Sequence, residues 1–179
     1  FIQTTSYLVS TILFYIPAKI TAFTNLETLI LDNNPIPANA FGNIANHPKL
    51  TNLSLSGLQL TQIPTQVSQL TQLTSLNVSN NALTEQTTSG LSNLTNLVWL
   101  SFENNQLAQI PSQIPQLKKL QTLNLGRNKI SVGVSLLTGL PNLQQLFLNN
   151  NLLTGNIPSE FLGMPKLLML NLNSNQLSG

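Results

Sequence analysis

The 179-residue sequence has no cysteine, a single histidine and few charged side chains. Without cysteine, a disulfide scaffold, a thiol nucleophile and a cysteine-ligated metal site are excluded. The one histidine, His47, excludes histidine-rich metal sites and leaves little for acid–base catalysis. Charged residues make up 7% of the chain, whereas soluble proteins average about 25%. Because a net charge of +2 cannot supply extensive phosphate neutralisation, we predict no nucleic-acid partner.

A long apolar run is also missing. The most apolar stretch, residues 1–20, is broken by several polar residues and by Pro17. A transmembrane helix needs about 18 consecutive apolar residues, and a signal peptide needs a basic start and a small-residue cleavage site. Neither pattern is present, so we expect no membrane insertion of this segment. The length of the chain predicts a single domain over residues 1–179.

The motifs of common enzyme sites are missing as well. The sequence has no G-x-S-x-G, no P-loop, no H-E-x-x-H and no paired acids at catalytic spacing. We therefore predict a non-catalytic protein that uses no cofactor and no metal.

Leucine and neutral polar residues are abundant instead, with 37 leucines and 73 residues of Asn, Gln, Ser and Thr together. The leucines recur every 23 or 24 residues, and a period of this length is typical of repeat architectures. Each unit follows the pattern L-x-x-L-x-L-x-x-N-x-L, apart from apolar replacements and Leu58, which stands in place of one asparagine. The seven units begin at Leu26, Leu50, Leu73, Leu97, Leu120, Leu143 and Leu167.

This pattern resembles the leucine-rich repeat, and the resemblance covers about residues 8–179. It implies an α/β solenoid curved like a horseshoe, with a parallel β-sheet on the concave face and 3₁₀, extended or short helical segments on the convex face. The sixth unit continues as L-T-G-N-I-P over residues 153–158, which is similar to the plant-specific subclass of the repeat. Cysteine-paired caps, usual in plant receptors of this family, are absent, so the resemblance favours a bacterial or truncated solenoid.

The sequence also has a longer period of 47 residues, which equals two units. Leu8 and Leu13 stand one such step before Leu55 and Leu60, so we interpret residues 1–25 as a degenerate or truncated unit. The seven units then occupy residues 26–179, and the last is incomplete. Proline fixes φ and removes a donor, so we expect extended or 3₁₀ backs in alternate units and short helical turns between them. The dipeptides that mark these units are Ile16-Pro17, Ile63-Pro64, Ile110-Pro111 and Ile157-Pro158.

The pattern assigns physical roles to its positions. The L-x-L step has a period of two, so both leucines point to one face of a short strand. An inward asparagine can donate and accept hydrogen bonds through its amide, and so satisfy backbone groups where the chain turns. Leu58 cannot make these bonds, and the turn near Gly57 needs other partners. The predicted ladder consists of Asn34, Asn81, Asn105, Asn128, Asn151 and Asn175.

His47 occupies a convex position that is apolar in every other unit. One hypothesis makes it a metal ligand or a catalytic base. The other makes it a partly buried, hydrogen-bonded histidine beside Pro48, and the apolar register favours this second hypothesis.

The register also identifies the outward residues of the strands. Most are neutral and polar. Ile30 and Asp32 depart from this in the first unit, and the other exceptions, apolar or charged, cluster in units four to seven. Exposed aromatics among polar groups mark contact sites more often than random surface does, although Trp99 could also pack along its own sheet. We predict Trp99 and Phe147 as anchors, and Glu103 and Arg127 as charges that set the ligand's register. The predicted ligand-binding set is Trp99, Ser101, Glu103, Thr122, Asn124, Arg127, Gln145, Phe147, Met169 and Asn171.

These features predict a binding module for a protein or peptide ligand. A tryptophan among amide side chains could instead stack on a sugar ring, which would make the protein a glycan-binding surface adhesin. A structural spacer within a larger surface protein or receptor is a third hypothesis. The lack of a regular threonine column argues against ice binding. A neutral polar surface without cysteine predicts an extracellular or cell-surface location and a bacterial source.

Overall fold

The computed structural model describes residues 13–178, in which short strands alternate with 3₁₀ segments. The strands are β1 (Thr28–Ile30), β2 (Asn52–Ser54), β3 (Ser75–Asn77), β4 (Trp99–Ser101), β5 (Thr122–Asn124), β6 (Gln145–Phe147), β7 (Thr154–Gly155), β8 (Met169–Asn171) and β9 (Gln176–Leu177). The 3₁₀ segments are Ala18–Ala22, Ala38–Ala40, Ile44–Asn46, Thr65–Gln69, Glu85–Thr87, Ser89–Asn93, Ile114–Gln116, Val134–Gly139 and Ser159–Gly163.

Seven of these strands form one parallel sheet in the order β1-β2-β3-β4-β5-β6-β8, and β7 pairs in parallel with β9. The register is the one that the repeat predicts: Leu76 lies between Leu53 and Leu100, and Trp99 lies between Ser75 and Thr122. Equivalent residues of successive units are therefore neighbours, and their side chains form columns along the solenoid. The predicted α/β solenoid with a parallel sheet is confirmed.

The core is a continuous stack of apolar side chains between the sheet and the convex back. The opening leucines of the first six units are at most 4% exposed. Burying a side chain of this size stabilises a fold by about 1.5–3 kcal/mol, so the core explains the high leucine content. The convex side closes it with Ile20, Ile44, Val67, Leu91, Ile114, Leu137 and Phe161.

The predicted alternation of the convex backs holds only in part. Pro17, Pro64 and Pro158 each come directly before a five-residue 3₁₀ segment. Pro111 departs from this, because the segment of its unit, Ile114–Gln116, has three residues and begins three positions later. Two of the intervening units form two short segments each, and a third forms one six-residue segment. The helical turns are thus 3₁₀ in both kinds of unit, and the proline changes where the turn begins.

Asn105 shows how the inward asparagines hold the turns. Its side-chain amide donates to the carbonyls of Val78 in the preceding unit (2.9 Å) and Phe102 in its own unit (3.0 Å). Its amide oxygen accepts the backbone N–H of Leu83, also in the preceding unit (3.0 Å). The side-chain amide of Asn34 donates to two carbonyls of its own unit, those of Leu31 and Asp32. The full set of bonds recurs at Asn81, Asn128, Asn151 and Asn175.

Leu58 interrupts this ladder, and the neighbouring units compensate. Leu58 is buried, and its backbone N–H donates to the amide oxygen of Asn81 in the next unit (3.0 Å). In the preceding unit, the N–H of Ile36 donates to the carbonyl of Asn34 (2.9 Å) in place of a ladder asparagine. Gly57 has a φ of 70°, and a Cβ there would overlap a side chain of the preceding unit. Glycine adopts this φ without strain and avoids the overlap.

His47 is 1% exposed, so it is fully rather than partly buried. Neither ring nitrogen has a hydrogen-bond partner among residues 13–178, which contradicts the predicted hydrogen-bonded histidine. The same residues hold no group of three side chains placed to bind a metal. Burial lowers the pKa of His47 below 6.5; the Phe23 backbone, nearby but outside hydrogen-bonding geometry, opposes this only in part. The ring is therefore neutral at pH 7 and packs as an apolar group.

At the beginning of the described residues, the chain already follows the repeat. Leu13 donates its backbone N–H to the amide oxygen of Asn34 (2.8 Å), as Leu60 does to Asn81 (2.9 Å). Leu8, the other leucine on which the degenerate first unit was predicted, lies outside the described residues. The assignment of residues 1–25 to such a unit stays a prediction.

At the other end, the convex back of the sixth unit is less well covered. Ile157 is 56% exposed, whereas Ile16, Ile63 and Ile110, which precede proline in the same way, are at most 5% exposed. The helical segments of the described chain are all too short or too polar to cross a membrane.

Candidate binding face

We define the concave face as the first and third residues of the seven sheet strands, together with the residues two and three positions beyond each strand. The pleat of each short strand turns these side chains away from the core. All ten predicted ligand-binding residues lie on this face. We call units one to three its polar half and units four to seven its mixed half, because the two differ in chemistry.

In the polar half, the side chains bond to one another across units. The Asp32 carboxylate accepts the hydroxyl of Ser54 (2.6 Å) and the backbone N–H of Ser56 (2.8 Å). Asn77 donates to the Ser54 hydroxyl oxygen (3.0 Å), and Asn80 donates to that of Ser56 (2.9 Å). Polar groups that satisfy one another in this way gain little from a ligand.

Ser101 belongs to this network, although its strand opens the mixed half. Its hydroxyl oxygen lies 2.7 Å from that of Ser79, and the residue is only 2% exposed. In the sheet it stands between Asn77 and Asn124, whose longer side chains flank it. The prediction of Ser101 as a ligand contact is therefore corrected: the serine holds adjacent strands together and is shielded from solvent.

The apolar side chains of the mixed half are only partly covered. Trp99 and Phe147 are partly buried, and Met169 is 49% exposed. The neighbours of Trp99 in its column are the small residues Ser75 and Thr122, so packing along the sheet accounts for part of its burial. Strands lie about 4.8 Å apart, which puts Trp99 and Phe147, two strands apart, within reach of one ligand.

The two charges of the mixed half pair with each other. Nε of Arg127 lies 3.5 Å from a carboxylate oxygen of Glu103, with 63% and 40% of the two side chains exposed. Asn124 donates to the other carboxylate oxygen (3.0 Å) and accepts the backbone N–H of Gly126 (3.0 Å). An ion pair this exposed stabilises by no more than about 1 kcal/mol. The remaining predicted residues, all at least partly exposed, are Thr122, Gln145 and Asn171.

The backbone of Arg127 was not predictable from the register alone. It has a φ of 56°, and for most L-residues the left-handed region costs about 1–2 kcal/mol. Asparagine and glycine tolerate this region better than arginine does. Such outliers are a reason to look for function. The equivalent positions of the other units are Asn33, Gly57, Asn80, Asn104, Asn150 and Ser174.

A further row of side chains, which sequence reasoning missed, runs along the edge of the sheet where the chain enters each strand. In three places a lysine ammonium donates to the amide oxygen of an asparagine one unit earlier, at 2.7, 2.7 and 2.6 Å. Lysine and asparagine at one fixed register position were the available signal. This leading edge comprises Asn25, Lys49, Gln72, Asn96, Lys119, Asn142 and Lys166.

Comparison with known families and structures gives consistent results. Two family models match the chain, and both carry the description leucine rich repeat. One matches residues 131–177 and the other matches residues 72–94. No curated protein matches the chain.

Solved structures from bacteria and plants are similar to the chain. An internalin from Listeria monocytogenes is 35% identical with a TM-score of 0.78, covering 92% of this chain and 46% of that one. A leucine-rich-repeat protein of Leptospira interrogans is 29% identical with a TM-score of 0.72, covering 93% and 47%.

A third similar structure is the leucine-rich-repeat ectodomain of the plant membrane receptor kinase GASSHO1/SCHENGEN3 from Arabidopsis thaliana, in complex with Casparian strip integrity factor 2. It is 30% identical with a TM-score of 0.71, covering 91% of this chain and 20% of that one. The chain spans less than half the length of each of these relatives. With the seven-unit register and the asparagine ladder, these matches show that the chain belongs to the leucine-rich-repeat proteins.

Proposed function

We propose that this chain is a non-catalytic module that binds a protein or peptide ligand on the mixed half of its concave face. The observation that carries this proposal is the contrast within one column. Trp99 and Met169 stand there in positions where the polar half has Thr28, Asn52 and Ser75. Partly exposed apolar groups among polar ones gain much from being covered, and they dominate binding energy in most interfaces.

Each residue has a task in this proposal. Trp99 and Phe147 are the anchors, and together they span about two strand spacings, or roughly 10 Å. Gln145 and Asn124 offer amide groups between them. The Glu103–Arg127 pair is arranged to fix the ligand's register, because charges contribute more to specificity than to affinity.

The relatives support the proposal at a coarser level. One of them is a receptor ectodomain solved with Casparian strip integrity factor 2 bound. That same relative supports an extracellular or cell-surface location for this chain. Because this chain covers only a part of each relative, we carry over the kind of activity and not the partner.

A displayed library of random peptides, with a glycan array beside it, tests the proposal. We expect peptides whose affinity falls about 30-fold or more with Trp99→Ala or Phe147→Ala. Thr28→Ala and Asn52→Ala are matched controls in the polar half and should leave affinity unchanged. Thermal unfolding of every variant checks that the fold is intact.

Three outcomes would overturn the proposal. Peptides that bind the anchor variants as tightly as wild type would move the site elsewhere. Glycan hits that depend on Trp99, without peptide hits, would replace the proposal with the adhesin hypothesis. A chain that retains neither class of ligand would be a structural spacer.

A further inference from the structure

Positive charge is concentrated beside the mixed half. Lys119 and Lys166 belong to its part of the leading edge, and Lys118 directly precedes Lys119. All three side chains are exposed, and none forms an ion pair within residues 13–178. The face itself contributes no net charge there, because Glu103 is paired with Arg127.

The polar half has the opposite balance. Its part of the leading edge holds one lysine, Lys49, while Glu27 and Asp32 lie beside it or on the face. The sheet side of the molecule is therefore positive over the later units and weakly negative over the earlier ones. A ligand that covers the mixed half meets this positive edge.

The lysines are fixed close to the proposed anchors. Lys119 donates from Nζ to Asn96, three residues before Trp99 (2.7 Å), and Lys166 donates to Asn142, three residues before Gln145 (2.6 Å). At about 3.3 Å per strand residue, each ammonium lies roughly 10 Å from the column of side chains that contains Trp99 and Gln145. Because the Debye length is about 8 Å at physiological salt, these ammonium groups act on the part of a ligand that extends from the anchors towards the leading edge.

Hydrogen bonding orders these lysines without neutralising them. Lys118 donates from Nζ to the carbonyl of Gly139 (2.8 Å), and Asn142 donates back to the carbonyl of Lys118 (2.9 Å). Amide and carbonyl oxygens hold the ammonium groups in place but leave their charge unpaired. Ordered side chains lose less conformational entropy when a ligand carboxylate binds them.

We propose that the ligand of the mixed half is an acidic peptide. Its apolar side chains contact Trp99 and Phe147, and its carboxylates face Lys119 and Lys166 across the leading edge. Lys118, whose ammonium is held at the convex segment by the carbonyl of Gly139, adds to the positive charge beside them. This inference rests on the proposed function and names the class of ligand. Because exposed ion pairs contribute little to affinity, the lysines act mainly on the rate of association.

The peptide library supplies the test. Wild type should select peptides enriched in Asp and Glu next to apolar residues. A variant with Lys118→Gln, Lys119→Gln and Lys166→Gln keeps hydrogen-bond donors at all three positions but loses three charges. For a selected acidic peptide, it should lower the association rate constant roughly three- to tenfold at low salt, and flatten the dependence of that constant on salt.

A matched control separates local charge from net charge. Lys19→Gln, Lys49→Gln and Lys129→Gln also remove three exposed positive charges, but none of these lysines lies on the leading edge of the mixed half. This control should keep the acidic selection and the salt dependence. Equal effects of the two triple variants would overturn the inference, as would selected peptides without acidic enrichment.

The two proposals fail in different ways. If the peptides depend on Trp99 but ignore the lysines, the binding face stands and the acidic ligand is rejected. If the lysines matter while Trp99→Ala and Phe147→Ala have no effect, the ligand is held by charge alone. In that case both the anchor site and the acidic peptide proposed on it are rejected.

Discussion

The two halves of the concave face depart from the repeat in opposite ways. In the polar half the departures lie in the scaffold: Leu58 breaks the asparagine ladder, and His47 is buried without a hydrogen-bond partner among residues 13–178. The surface above them is a closed network of Asp, Ser and Asn. In the mixed half the ladder is complete, and the departures lie on the surface, at Trp99, Phe147 and Arg127.

This contrast follows from the one-dimensional build of a solenoid. Each unit contacts mainly its neighbours, so the stability of one region and the surface of another vary independently. The complete ladder beneath the mixed half holds its strands rigid, which lowers the entropic cost of binding there. The polar half tolerates its ladder defect because Asn81 and the carbonyl of Asn34 accept the backbone N–H groups of Leu58 and Ile36. Four substitutions, three of them paired with a control substitution, test this division, from the largest expected effect to the smallest.

Asn105→Leu reproduces, beneath the mixed half, the gap in the asparagine ladder that Leu58 causes in the second unit. The N–H of Leu83 loses its partner. The carbonyls of Val78 and Phe102 each lose one of two donors and keep the bond from Asn81 or Asn128. One buried N–H left unsatisfied costs about 1–3 kcal/mol, and two buried carbonyls each lose one bond, so the free energy of unfolding should fall by about 2–3 kcal/mol. Urea denaturation followed by circular dichroism measures this.

Leu58→Asn is the reciprocal control. It restores a ladder amide but removes a buried leucine, so we expect a change within about 1 kcal/mol. If Asn105→Leu is as mild as Leu58→Asn, the ladder does not distinguish the two halves.

His47→Leu removes the other scaffold defect of the polar half. Burying an imidazole without a partner costs about 1–3 kcal/mol, so leucine, the residue of several other units at this position, should stabilise by roughly 1–2 kcal/mol. The folded-state pKa lies below 6.5, so the folded protein binds fewer protons than the unfolded chain. The wild type therefore has its full stability above pH 6.5. As the pH falls below that value, protonation of His47 in the unfolded chain lowers the free energy of unfolding.

Urea denaturation of both proteins at pH 7.5 and pH 5.5 checks the sign. The stability advantage of His47→Leu should be larger at the lower pH. All other titratable groups are shared, including Lys19, Glu27 and Lys49 on the neighbouring segments. A gap between the two proteins that does not change with pH would show that His47 is not the titrating group.

The sequence was sufficient for the scaffold because spacing alone decides which residues are neighbours in a solenoid. The same arithmetic placed Trp99, Phe147 and Arg127 on the concave face. It could not reveal that Ser101 is covered, because that depends on the hydrogen bond with Ser79 and on taller neighbours. The left-handed backbone of Arg127 was also hidden, since it is set by the turn and not by the side chain.

Gly126→Ala tests how tightly the surface of the mixed half is packed. A Cβ at this position would lie 2.8 Å from the amide oxygen of Asn149 and 3.2 Å from that of Asn124. Both atoms end flexible side chains and can move, so we expect a loss of only about 1 kcal/mol. Gly42→Ala, on the convex back of the first unit, meets no atom within 4 Å and should stabilise by about 0.4–1 kcal/mol. Opposite shifts in melting temperature confirm the difference, and equal shifts contradict it.

Arg127→Asn should make the protein slightly more stable and a poorer binder. Asparagine relieves most of the left-handed backbone cost of about 1–2 kcal/mol, while the lost ion pair with Glu103, more than a third exposed on both sides, is worth well under about 1 kcal/mol. The free energy of unfolding should therefore rise by roughly 0.5–1 kcal/mol. Asn104→Arg, in the same column one unit earlier, should lower it by a similar amount. If Arg127→Asn instead destabilises the protein, the arginine belongs to the scaffold. A gain in stability with weaker peptide binding indicates that Arg127 is retained for its ligand.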